Sequence, residues 1–155
     1  MAEYKREPAA IEEMLLAYAR TPIVFLHAFT GMPDALALVP PAEGEWSIAQ
    51  IVTHLWIVDG HLLVAFAGAE RPTEGVMRPK NPPAFAARMD EFELRRATVV
   101  VALRNLAPEL WDTPHLFRTK ESTARALITR FVRHDGIHLK QIIATRHAVE
   151  AGAHV

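Results

Sequence analysis

The chain has no cysteine, which removes disulfide frameworks, thiolate metal sites and cysteine nucleophiles together. Any metal must be held by nitrogen and oxygen. A dominant charge is also missing: 17 Lys and Arg stand against 18 Asp and Glu, with no long block of either sign to grip phosphates or an anionic membrane face. Nucleic acid is therefore not expected as a partner. No apolar run approaches the roughly 18 to 20 residues that cross a bilayer, because Arg20 and Pro22 break the first candidate and Asp59 and His61 the second. Met1 to Glu7 carries both signs of charge and lacks an apolar signal core. The expectation is no membrane partner and a cytoplasmic location. Absent too are a G-x-S-x-G elbow, a glycine-rich phosphate loop and an H-E-x-x-H pair, so no local signature of those chemistries exists.

What is present is the composition of a folded protein, half hydrophobic and 23% charged over 155 residues. That suits one domain, placed at 9–150, with short tails at 1–8 and 151–155. Four segments have helical periodicity, separated by stretches rich in Pro, Gly and Asn. The first covers about 8–29, with Ile11, Met14, Leu15, Tyr18, Val24, Phe25 and Ala28 as its apolar stripe; Pro22 should kink or restart it. Residues 31–45 read as a connection with one short turn at 34–38. Ser47 is a candidate N-cap for a second helix ending near Gly68.

Residues 71–83 hold four prolines and a glycine and should be ordered only if they pack on something. A third helix is placed from about 83 to 106, with Phe85, Met89, Phe92, Ala97, Val99, Val100 and Leu103 inward. The β-branched run at Val99–Val101 could suit a strand, but an isolated strand would leave its backbone unpaired. After a loop at 107–121, a fourth helix runs from about 122 to 150. The simplest way to bury four apolar stripes at once, without strands, is an all-α four-helix bundle.

The chemistry-bearing residues are histidines. His134 and His138, four apart, lie one turn above the other on one helix face and can converge on one ion, although two surface histidines would share that spacing. His54, inside Ile51-Val52-Thr53-His54-Leu55-Trp56, is a candidate third ligand, although a histidine so surrounded is more often a core residue with a hydrogen-bond partner. His61 is about 10.5 Å further along the same helix, too far to share an ion with His54, because ligands of one metal lie within about 4 Å of each other. It is a pocket-lining or ordinary hydrogen-bonded residue.

Gln141, on the His134 and His138 face, could line the pocket or orient a bound molecule. Asp135 points about 100° from His134 and could take a proton from an imidazole or make a surface contact. Asp59 reads as a bundle-edge or entrance residue and a candidate general base. His27, His115, His147 and His154 have no partner at useful spacing. Trp46, just before the cap, reads as a packing anchor. Trp56, Trp111 and apolar connector residues are candidates for an exposed patch on which a homodimer could form.

Two motifs then combine. Gly44-Glu45-Trp46-Ser47, followed by His54-Leu55, and His134-Asp135-Gly136-Ile137-His138-Leu139-Lys140-Gln141-Ile142 resemble the GEWS…HL and HDxxHLxQI segments of DinB/YfiT-like proteins; the Thr21-Pro22 step is similar as well. The resemblance covers about residues 9–150. It implies an up-down-down-up four-helix bundle with a divalent metal, such as zinc, nickel or an iron-like ion, on His54, His134 and His138. It also implies a small-molecule substrate, with activities that include transfer of thiols such as bacillithiol, mycothiol or glutathione, and metal-dependent hydrolysis. A non-catalytic metal or small-molecule binding protein is the alternative outside catalysis. Lacking cysteine, the chain would need its thiol from a cosubstrate.

Overall fold

The computed structural model describes residues 7–152. Four long helices dominate it: α1 (Glu7–Ala28), α2 (Ile48–Ala67), α3 (Phe85–Arg104) and α4 (Ala124–Gly152). Of the tails placed at 1–8 and 151–155, residues 1–6 and 153–155, with His154, lie outside the described residues, while 7, 8, 151 and 152 are helical.

Two buried clusters set the helix directions. Leu15 of α1 belongs with Ile57, Val58 and Leu62 late in α2 and Val99 to Leu103 late in α3. Phe25 and Phe29, further along α1, belong with Ile48 to Leu55 and Phe85 to Phe92, at the starts of those helices. So α2 and α3 run parallel to each other and antiparallel to α1. Leu127 and Ile128 fall in the first cluster and Ile142 in the second, so α4 runs with α1. This is the up-down-down-up bundle. Two parallel neighbours need a connection that returns along the bundle, and residues 68–84 make it.

That connector is pinned by polar contacts. Asn81 accepts from Ser47 Oγ at 2.5 Å and donates to the Leu38 carbonyl, and Gln50 Nε2 donates to the Pro79 carbonyl. Ser47 caps α2 with a reciprocal box, its Oγ accepting from the Gln50 amide at 3.1 Å while Gln50 Oε1 accepts from the Ser47 amide at 2.9 Å. Two of the free backbone donors at the helix start are thereby satisfied. Gly68 ends α2 with φ 65°, a left-handed cap that costs glycine little. By length and composition α2 could cross a membrane, but 67% of its most apolar window is buried in the bundle, as in a core helix.

Pro22 does not restart α1, since the helix is continuous over Glu7–Ala28. The proline has no N–H for the Tyr18 carbonyl one turn back. Arg96 Nη1 donates to that carbonyl instead, at 2.9 Å.

Three features differ from the sequence expectation. The 107–121 loop holds a short 3₁₀ turn at 108–112 and an antiparallel hairpin of β1 (His115–Phe117) and β2 (Lys120–Ser122). Three-residue strands are too short to show alternation, and the Arg118-Thr119 turn lacks the usual glycine or asparagine signal. Val24 and Ala97 face outward rather than into the core. Trp111 is buried and Trp56 is half-buried, with the Arg88 and Arg95 guanidinium carbons each 3.8 Å from its ring centre. These tryptophans do not form an exposed apolar patch.

Candidate metal centre

His54 is carried by the first half of α2, and His134 and His138 by the middle of the antiparallel α4. The bundle brings the three together. His134 Nε2 lies 3.2 Å from His54 Nε2 and 3.0 Å from His138 Nε2. The other ring nitrogens explain this orientation. His54 Nδ1 donates to the Val76 carbonyl at 2.6 Å, and His138 Nδ1 donates to Gln141 Oε1 at 2.7 Å. In the neutral tautomer each therefore presents a bare Nε2 lone pair.

Two lone pairs aimed at a third Nε2 cannot both be satisfied by one N–H, whereas a cation satisfies all three. Three nitrogens on a tetrahedral ion at about 2.0 to 2.1 Å sit roughly 3.3 Å apart, close to the spacing observed. His134 Nδ1 is buried without a hydrogen-bond partner.

Burial also keeps the rings neutral. It pushes His54 down to about 4, with a smaller contribution from His138. Burial and the neighbouring His138 and His54 push His134 down to about 3. His138 is lowered by burial, against the opposing hydrogen bond to Gln141. At neutral pH all three are in the form that binds a metal.

Aromatic rings fix the imidazoles from outside. Trp46 stands 5.2 Å from the His54 ring and Phe131 5.7 Å from the His134 ring. A cleft of about 520 Å³ opens beside His138, walled by Pro41, Trp46, Ala144 and Ala148, with Glu45, Gln141 and Thr145 as its polar groups. Trp46 is thus a packing anchor and a cleft wall at once.

The two aspartates are placed otherwise than at a bundle edge or on the surface. Asp59 is fully buried, accepting from Tyr18 Oη at 2.6 Å and from Arg96 Nε at 2.8 Å. Asp135 accepts from Thr21 Oγ1 at 2.6 Å and from Arg96 Nη1 and Nη2 at 2.7 and 3.2 Å. Burial disfavours the Arg96 charge, but Asp59, Tyr18 and Asp135 outweigh it and raise its pKa.

One guanidinium thus ties α1, α2, α3 and α4 together, and neither carboxylate is free for proton transfer. Arg96 escaped the sequence reading. Its signal was a charged residue in the inward register of Phe92, Val99 and Leu103. His61 is half-buried, its ring 6.4 Å from Phe117, and is not part of the three-nitrogen cluster. His27 and His147 are exposed, and His115 Nδ1 donates to the Thr113 carbonyl.

A family model for the DinB superfamily matches residues 17–142. The chain belongs to the DinB superfamily. Among solved structures, this DinB protein is similar to YfiT from Bacillus subtilis, described as a probable metal-dependent hydrolase with an unusual four-helix bundle topology. The TM-score is 0.69 at 15% identity, over 88% of this chain and 85% of that one. A DinB-like protein from Bacillus cereus ATCC 10987 matches with a TM-score of 0.71 at 15% identity, over 92% and 93% of the two chains. At such identity these neighbours establish the shared fold. No curated protein matches the chain.

Proposed function

We propose that this DinB protein is a metal-dependent enzyme whose His54, His134 and His138 hold a divalent ion, and that it transfers a low-molecular-weight thiol to an electrophilic substrate. The observation that carries the metal reading is the convergence of three Nε2 atoms, two of them within 3.2 Å of the central one, with two Nδ1 atoms held as donors. A divalent ion on three protein ligands keeps an open position and lowers the pKa of a thiol or water bound there. The protein supplies the rest. The Val76 carbonyl and Gln141 orient two of the imidazoles, and Trp46, Pro41, Ala144 and Ala148 give an organic electrophile a largely apolar wall beside His138.

The engaged carboxylates favour thiol over water. Asp59 and Asp135 are both held by Arg96, so among the described residues no buried carboxylate stands ready to take a proton from water. A thiol, with a pKa near 8.5 before any perturbation, needs far less help. The test is conjugation of a generic electrophile by zinc- or nickel-loaded protein with bacillithiol, mycothiol or glutathione, against His138→Ala. Thiol-dependent turnover lost in the variant is expected; equal rates in both would remove the proposal.

A second reading, hydrolysis, has its own observation: Glu45 lines the cleft that His138 opens on and could serve as the base. It is distinguished by turnover of amides or esters with no thiol added.

A further inference from the structure

The hairpin turn carries an anomaly. Arg118, with φ 58°, is the sole non-glycine residue in the left-handed region among the described residues. Phe117 pairs with Lys120, so Arg118 opens a two-residue turn, a position where glycine is favoured. A side chain there costs about 1 to 2 kcal/mol, and strain of this kind collects at functional positions.

The hairpin is also anchored toward the histidines. Phe117 packs 6.4 Å from the His61 ring and 5.5 Å from Phe131, which itself stands 5.7 Å from His134.

A cleft of about 420 Å³ lies against the turn, lined by Arg118, Lys120 and Arg130, with Glu121 as the lone acid in its lining. None of the three cations forms a salt bridge among the described residues. In a chain of net charge −1, three cations without an ion pair among the described residues, Arg130 resting only against the Phe131 ring at 5.7 Å, form a local positive field in one concave place. The cleft adjoins the metal centre through the chain: Arg130 stands one helical turn before His134 on α4, and Arg118 follows Phe117, which packs on Phe131.

We propose that Arg118, Lys120 and Arg130 form an oxyanion subsite at the edge of the three-histidine centre, binding a carboxylate or phosphate on the non-reacting part of a small substrate or cosubstrate. Guanidinium forks suit both groups through paired, charge-assisted hydrogen bonds. The inference rests on the proposed function only in placing the reacting end of that molecule at the histidines.

The experiment titrates zinc-loaded, ¹⁵N-labelled protein with succinate and, separately, with inorganic phosphate at low ionic strength, following the amides of residues 117–122. Saturable shifts are expected, with at least fivefold weaker binding in Arg118→Gly and in Arg130→Gln. Arg118→Gly removes the charge while giving the left-handed position the residue that suits it, so its thermal stability should hold or rise. The anion that binds more tightly identifies the oxyanion.

No saturable shift in the wild type, or affinities within twofold of wild type in both variants, would overturn the subsite. Zinc content of the same samples separates the two readings. Protein that retains no zinc but shows Arg118-dependent shifts loses the proposed function and keeps the subsite. Protein that holds zinc without Arg118 dependence does the reverse.

Discussion

Replacing Arg96 with methionine removes the one cation that all four helices share. In the wild type its guanidinium makes four hydrogen bonds, to Asp59, to both oxygens of Asp135 and to the Tyr18 carbonyl, and lies 3.5 Å from the Tyr18 ring centre. Methionine fills much of the volume but leaves two buried carboxylates without a counterion and reopens the carbonyl that Pro22 leaves unpaired. Breaking a buried ion pair from one side costs about 3 to 5 kcal/mol, a large share of the roughly 5 to 15 kcal/mol that holds a domain folded. With a urea dependence of about 2 kcal/mol per molar, the unfolding midpoint should fall by about 2 M.

Urea unfolding followed by circular dichroism measures this directly. Adding Asp59→Asn and Asp135→Asn to Arg96→Met should restore part of the loss, because the uncompensated charges are then gone. A loss below about 1 kcal/mol in the single variant, or no recovery in the triple one, would refute the view that charge pairing in this network holds the bundle.

Gln141→Leu should weaken zinc binding about 10- to 100-fold in a chelator competition, since removing the partner of a metal-binding histidine has effects of that size; unchanged affinity would show that Gln141 is only a cleft wall. Metal-free protein should lose stability as pH falls from 6.5 toward about 4, because the unfolded chain takes up the His54 proton before the folded one does. The stability is fully present above 6.5, and the His54 contribution lost below about 4 is about 3 kcal/mol; a flat thermal midpoint over that range would contradict the burial argument. Ser47→Ala should cost about 1 to 2 kcal/mol by removing the α2 cap and the Asn81 contact, read as a lower thermal midpoint with the zinc stoichiometry unchanged.

Much of this protein was legible in its sequence. Helical periodicity, the Ser47 cap and the proline-rich separators located the helices because those signals are local, set by backbone hydrogen bonding over a few residues. The His134 and His138 pair was legible for the same reason, and the resemblance of the flanking motifs added His54.

What lay beyond reach depends on residues far apart in the chain. That His54 Nδ1 finds the Val76 carbonyl is decided by the connector folding back on α2. That Asp59 and Asp135 are buried partners of Arg96, rather than an entrance carboxylate and a surface contact, is decided by four helices meeting at one point. The hairpin that seats Phe117 against His61 has strands too short to write a pattern. Local propensity determined the helices and the spacing of the His134 and His138 pair; packing across the bundle decided which polar groups are spent on holding it together and which remain for chemistry.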